Sequence, residues 1–220
     1  MANKANNKKK GKNNEKILWI ALIAVAVIGL AVGGILLFGG DKQQDSAAEP
    51  PLLSGIHYVE IDVKDVGKIT AELNADIAPI TVTNFINLVD QQFYDGLTFH
   101  RIINGFMAQG GDPLGNGRGG SDKNIKGEFL SNGVNNPLKH TRGVLSMARS
   151  ALPNSASSQF FIMHQAAPHL DGNYAAFGKV ISGMEVVDEL CKNTPVVDNN
   201  GTVLPADQPV ITSIRRIEKP

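Results

Sequence analysis

Residues 57–73 read HYVEIDVKDVGKITAEL, with Val59, Ile61 and Val63 alternating with polar neighbours. Ile69, Ala71 and Leu73 repeat the alternation after Asp65-Val66-Gly67. A period of two on both sides of a turn predicts a hairpin with one buried face. From Pro79 the period changes: Ile80, Phe85, Leu88 and Val89 recur at helical spacing, which predicts a helix that ends before Gly96. A second helix is expected from Ser182, with Glu185 three residues on as a capping box and Met184, Val187 and Cys191 on one face. Between the helices lie short strand-like runs, LTFHRII, GFMAQGG, GVLSMA, SQFFIMH and YAAFGKV, separated by Gly-, Asn- and Pro-rich turns; VITSIRRI closes the chain. Many short strands and two helices predict a mainly β fold, a closed antiparallel barrel with helical caps.

The N-terminal part follows different rules. Residues 17–38, ILWIALIAVAVIGLAVGGILLF, contain no charge. As a helix they would run roughly 33 Å, enough for a hydrocarbon core of about 30 Å. Of the chain's 21 basic and 21 acidic residues, six lysines and one glutamate fall in 1–16, leaving 15 basic against 20 acidic beyond. This asymmetry predicts a cytoplasmic basic tail (1–16), a transmembrane anchor (17–38) in contact with the lipid bilayer, and an extracytoplasmic remainder. The alternative is secretion after signal-peptide cleavage, with Ser46-Ala47-Ala48 a distant candidate site. A basic tail also suits nucleic acid, but the apolar span behind it argues against that partner. Residues 39–55, GGDKQQDSAAEPPLLSG, read as a polar linker, and 56–220 as the globular domain. With Cys191 the single cysteine, no intramolecular disulfide can form, and the residue is expected as a small buried apolar group.

The usual chemical signatures are absent. Gly115-Asn116-Gly117-Arg118-Gly119-Gly120 matches G-x-G-x-x-G in letters, but no helical period follows it, so a loop is expected. His57, His100, His140, His164 and His169 lack the spacing of a metal motif, so neither metal nor other cofactor is expected. No G-x-S-x-G elbow occurs, and Asn200-Gly201-Thr202 is a formal glycosylation sequon that reads equally as a turn. What remains is Arg101. It shares a strand face with Phe99 and Ile103, and residues 96–111 hold no Asp or Glu. A guanidinium in apolar company without a local carboxylate suits a cleft that receives a neutral ligand.

Three blocks, YDGLTFHRIINGFMAQGGDP (94–113), GVLSMARSALPNSASSQFFI (143–162) and HLDGNYAAFGKV (169–180), resemble in order and spacing the signature blocks of the cyclophilins, the peptidyl-prolyl cis–trans isomerases. The resemblance runs over about 57–217. It implies an eight-stranded antiparallel β-barrel capped by two α-helices, and proline-containing segments of folding proteins as partners. Arg101 is similar in position to the family's catalytic arginine, with Gln109 and Phe106 beside it, and Met107 in the substrate groove. Phe161 matches the floor of the proline pocket, and Ala148, Arg149 and Ser150 the segment flanking the bound peptide. His169 and Leu170 match the pocket rim, and Tyr174 a position where many relatives carry histidine. His169 stands in place of a tryptophan that helps to hold cyclosporin, which puts binding of that drug in question. Asn104 replaces the usual proline before Gly105, and residues 121–124 lengthen the next loop. A rival reading keeps the same groove for a binding module without turnover; Arg101 argues for the enzyme.

Overall fold

The computed structural model describes residues 51–220. The expected tail, the anchor and most of the expected linker lie outside these residues. Eight strands form one antiparallel sheet: β1 (Ile56–Val63), β2 (Gly67–Asn74), β3 (Phe99–Ile103), β4 (Met107–Gly110), β5 (Val144–Met147), β6 (Phe160–Met163), β7 (Ala176–Ser182) and β8 (Ile211–Ile217). Their order is β3-β4-β6-β5-β7-β2-β1-β8. The two α-helices are α1 (Pro79–Asp90) and α2 (Met184–Asn193). Among the described residues, no helix is long and apolar enough to cross a membrane.

The alternating positions predicted to face inward do so: Val59, Ile61, Val63, Ile69, Ala71 and Leu73 are all buried in the curl of the sheet. Val63 pairs with Gly67, so β1 and β2 form the expected hairpin around a tight turn. Phe85 from α1 meets Phe160 edge-on at 5.4 Å and Phe177 at 5.2 Å, and Tyr94 lies 5.1 Å from Phe85. The Phe85–Phe160 pair, at 89°, brings the positive edge of one ring to the negative face of the other, while the other two pairs are tilted. Helix α1 therefore plugs the curled sheet through its Phe85 face.

Three details differ from expectation. The sheet does not close along a full β3–β8 ladder. Its edges meet at a single bridge, Thr98 with Val210, reinforced by Phe99 N–H to Pro209 O (2.9 Å). Beyond that seam β3 pairs instead with the 201–203 segment, through Ile102 N–H to Gly201 O (2.8 Å) and Val203 N–H to His100 O (3.1 Å). The architecture is thus a curled half-barrel whose free edge is covered by a loop. Secondly, Ser182 does not cap α2: it pairs with Thr70 at the end of β7, and Gly183 (φ +87°) is the N-cap residue. A Cβ at 183 would stand 2.1 Å from Lys68 O, so only glycine lets β7 turn into the helix there. Thirdly, within the stretch expected as linker, Leu53 N–H donates to Thr83 Oγ1 (2.8 Å) and Gly55 N–H to Asp76 Oδ1 (2.7 Å), so residues 53–55 are bonded to the domain.

Helix α1 lacks a local side-chain cap and takes one from far away in sequence. The buried carboxylate of Glu128 accepts from Ile80 N–H (3.0 Å) and Thr81 N–H (2.7 Å), filling two orphan donors of the first turn with an anion at the positive end of the dipole. Glu128→Ala should lower the unfolding free energy by about 1–3 kcal/mol, read from urea denaturation; an unchanged midpoint would remove this cap from the account.

Candidate active site

The register of four neighbouring strands builds the site. Arg101 on β3 pairs with Gln109 on β4, Gln109 with Phe161 on β6, and Phe161 with Ser146 on β5. Side chains on paired residues point to the same side of a sheet, so these four form a row on its outer face. The neighbouring positions Ala108, Phe160 and Ile162 point the other way, into the main core. A second, smaller apolar cluster lies under the outer row: Met107, Val144, Phe161, Met163, Ala167, Leu170 and Ala176. Segment 164–176 closes over it and leaves a cavity of about 370 Å³.

Arg101, Phe106, Met107, Gln109 and Phe161 line this cavity from the sheet. Ala148, Arg149, His169, Leu170 and Tyr174 line it from the loops. Ten of the eleven residues expected at a binding site thus come together. Ser150 does not: it lines an adjacent hollow of about 220 Å³ with Arg118, Ser155 and Gln159, and its hydroxyl is bonded to Ser155 Oγ at 2.8 Å. Arg149 spends its guanidinium locally, on Asn173 O (3.0 and 2.8 Å) and Ser150 O (2.9 Å), and stacks over the Tyr174 ring at 4.7 Å. Its aliphatic stem and the Tyr174 ring make the wall.

Arg101 is held differently. Nε–H donates to Asn200 O (2.8 Å), Nη2 to Asn200 Oδ1 (3.2 Å) and Nη1 to Gln109 Oε1 (3.2 Å). Nη1 also lies 4.0 Å from Met107 Sδ. Among the described residues no carboxylate pairs with it, as the absence of acid from 96–111 leads one to expect. Burial pushes the guanidinium down from its ordinary pKa, with Tyr174 and Asp198 acting in the opposite sense; arginine nonetheless stays charged. Gln109 is itself oriented, since its Nε2 donates to Gln159 Oε1 (2.9 Å), whose own amide donates to Gly119 O (2.7 Å).

The turn before Phe106 carries Asn104 without the stiffness of proline. Two bonds hold it: Phe106 N–H to Ile103 O (3.0 Å) and Gly105 N–H to His164 Nδ1 (2.9 Å). Gly105 adopts φ +80°, the left-handed region. The Phe106 ring then stacks on His169 at 5.8 Å and 29°. His169 therefore forms a flat aromatic rim, with no indole N–H to offer.

Sequence spacing did not reveal Asn200 as a partner of Arg101, nor a trio beneath the floor. His140 donates from Nδ1 to Asp171 Oδ1 (3.1 Å), which leaves Nε2 to accept from Ser146 Oγ (3.0 Å). The order Asp-His-Ser imitates a hydrolase triad, yet Ser146 is fully buried and absent from the cavity wall. The trio is a brace: the His140 ring stacks on Phe161 (6.1 Å, 21°), and its backbone N–H also donates to Asp171 (2.8 Å). Asp171 follows His169 and Leu170, so floor and rim are tied together. The G-x-G-x-x-G stretch is a loop as expected, and its first four amides are taken: Gly115 N–H by Asp112 O (3.1 Å), Asn116 and Gly117 N–H by Asp112 Oδ2 (3.0 and 2.6 Å), and Arg118 N–H by Asn116 Oδ1 (3.0 Å). Cys191 is buried, and burial first of all pushes its thiol up to about 12, so it is unreactive near neutrality.

Comparison with known proteins agrees with this geometry. Residues 58–216 match the family model described as cyclophilin type peptidyl-prolyl cis-trans isomerase/CLD. The chain belongs to that family. Among similar proteins, peptidyl-prolyl cis-trans isomerase B of Bacillus subtilis is 50% identical over 123 residues, 56% of this chain and 82% of the relative. A probable peptidyl-prolyl cis-trans isomerase of Brucella suis is 39% identical over 200 residues, 88% of this chain and 94% of the relative. A crystal structure of a Cryptosporidium parvum cyclophilin type isomerase superposes with a TM-score of 0.66 at 34% identity, covering 76% of this chain and all of that one. The same protein in the presence of the dipeptide Ala-Pro gives 0.65 at 34% identity, covering 74% and 99%.

Two buried histidines make stability depend on pH. Burial chiefly lowers both His100 and His140 below their ordinary 6.5. Between those lowered values and 6.5 the unfolded chain binds more protons than the folded one. Stability is therefore full above 6.5 and falls as the pH drops below it. The urea midpoint should decrease from about pH 7 to about pH 5, with a shallower slope in His140→Gln; a flat profile in the parent chain would contradict this.

Proposed function

We propose that this domain accelerates rotation about X–Pro bonds in proteins folding outside the cytoplasm, with Arg101 as the group that stabilises the twisted amide. The observation that carries the reading is the guanidinium itself: charged, half-buried at the wall of a cavity with an apolar floor, and bonded among the described residues to neutral acceptors. Rotation about a peptide bond meets a barrier of about 18–20 kcal/mol because the nitrogen lone pair is delocalised into the carbonyl. In the twisted state that lone pair localises on the prolyl nitrogen and becomes an acceptor. A donor aimed at the nitrogen binds this state and neither planar state, which is differential binding in the strict sense. No covalent step and no proton transfer are required.

Phe161 forms the floor under the prolyl ring, and Phe106, Met107 and Leu170 enclose it. Gln109, held by Gln159, offers its amide to the substrate backbone. Ala148, Arg149, His169 and Tyr174 flank the bound segment, with Ser150 further along it. The apolar enclosure adds a second contribution, since the twisted amide carries less charge separation than the planar one and loses less on leaving water. Lowering the barrier by about 6 kcal/mol gives roughly 10⁴-fold acceleration. A solved neighbour of this chain was crystallised in the presence of Ala-Pro, which fits a proline-containing ligand.

The membrane part of the reading rests on sequence. Residues 17–38 serve as an uncleaved anchor, the lysine-rich tail stays in the cytoplasm, and the linker gives the catalytic domain reach toward newly exported chains.

In a protease-coupled assay on a proline peptide, Arg101→Ala should reduce kcat/KM by about 10²–10³ with the fold intact, the range seen when one transition-state donor is removed; parent-like turnover would dispose of the mechanism. Protease added to intact cells should digest the domain and spare residues 1–38; a protected domain would invert the topology.

A further inference from the structure

The geometry points to Asn200 as the positioning residue for Arg101, an inference that rests on the mechanism above. Asn200 lies 99 residues from the arginine, outside every signature block, and it bonds the guanidinium twice: its backbone O accepts from Nε–H and its Oδ1 from Nη2. With Gln109 on Nη1, the head group is fixed at all three nitrogens. Arginine has five N–H groups, so these three bonds leave two without an oxygen acceptor among the described residues. Two acceptors on one residue, on adjacent nitrogens, fix one edge of the fork; without Oδ1 the Nη2 end is unheld, and only the bonds at Nε and Nη1 remain.

The loop that presents Asn200 is built to hold still. Asp198 Oδ1 accepts from Asn200 N–H and Thr202 N–H, both at 3.0 Å, and Oδ2 from the Thr202 hydroxyl at 2.9 Å. Those bonds, the Thr202 N–H first, lower the Asp198 carboxylate from its ordinary pKa, and its charge acts on Arg101 through space without a direct bond. Gly201 (φ +78°) sits so close to β3 that a Cβ there would stand 2.3 Å from Ile102 O. Through Ile102 N–H to Gly201 O and the Arg101–Thr202 bridge, the loop is in register with the strand that carries the arginine. Asn200 is thus indexed to Arg101 by the backbone, and its carboxamide holds the Nη2 end of the guanidinium.

The test is a double-mutant cycle, with kcat and KM measured on a proline peptide by NMR exchange and melting recorded in parallel. Asn200→Ala should lower kcat about tenfold with KM and melting temperature unchanged, and should have no further effect on the residual rate of Arg101→Ala. An equal loss in both backgrounds, or a change in KM alone, means that Asn200 acts through the fold or through binding and overturns the assignment. A harmless Asn200→Ala beside an impaired Arg101→Ala also overturns it and leaves the mechanism standing. Full activity of Arg101→Ala removes both.

Discussion

A guanidinium surrounded by neutral acceptors is the constraint around which this site is arranged. Removing a charge from water is costly, and the common remedy is an opposite charge. A carboxylate against Arg101 would have satisfied its donors and also cancelled its field. Two carbonyl-type oxygens of Asn200 and one of Gln109 satisfy donors without cancelling the charge. In a partly dehydrated cavity an uncancelled charge acts more strongly than in water. Acids near the site are committed elsewhere: Asp112 to the amides of its own loop, Asp198 to the amides of the next, and Asp171 to His140.

The sheet makes this arrangement possible by having two useful faces. Inward-facing residues of β4 and β6 join the main core, which supplies rigidity. Outward-facing residues of the same strands would normally be wetted, but segment 164–176 covers them and creates the smaller apolar cluster. The site lies at the edge of that cover, where Phe161 and Met107 are buried while Arg101 and Gln109 remain half-exposed. The Asp171–His140–Ser146 brace ties the cover to the sheet, so the pocket's width is set by hydrogen bonds as well as by contact.

Much of this was legible in the chain. Alternation in 57–73 and the helical period after Pro79 gave β1, β2 and α1, because burial of one face enforces a period that survives in the sequence. Arg101 stood out as a charge among apolar neighbours without a local carboxylate, but the face expected for it holds only for Ile103: a bulge between Phe99 and Arg101 turns Phe99 into the main core and leaves the arginine on the outer side. Family likeness then supplied the pocket residues that spacing alone could not group. Illegible were contacts made by loops across long separations. Glu128 caps a helix 48 residues away, and Asn200 reaches across 99 to Arg101. Ser182-x-x-Glu185 looked like a cap, yet the close approach of Lys68 O at Gly183 decides where the helix starts, and no local pattern encodes that approach.

The most direct measurement replaces Arg101 by citrulline, which keeps the shape and most of the hydrogen-bonding groups and removes the charge. Exchange of a saturating proline peptide, followed by NMR, should fall toward the spontaneous rate while peptide affinity is retained. Undiminished exchange with the neutral side chain would contradict the claim that a free positive charge stabilises the rotating bond.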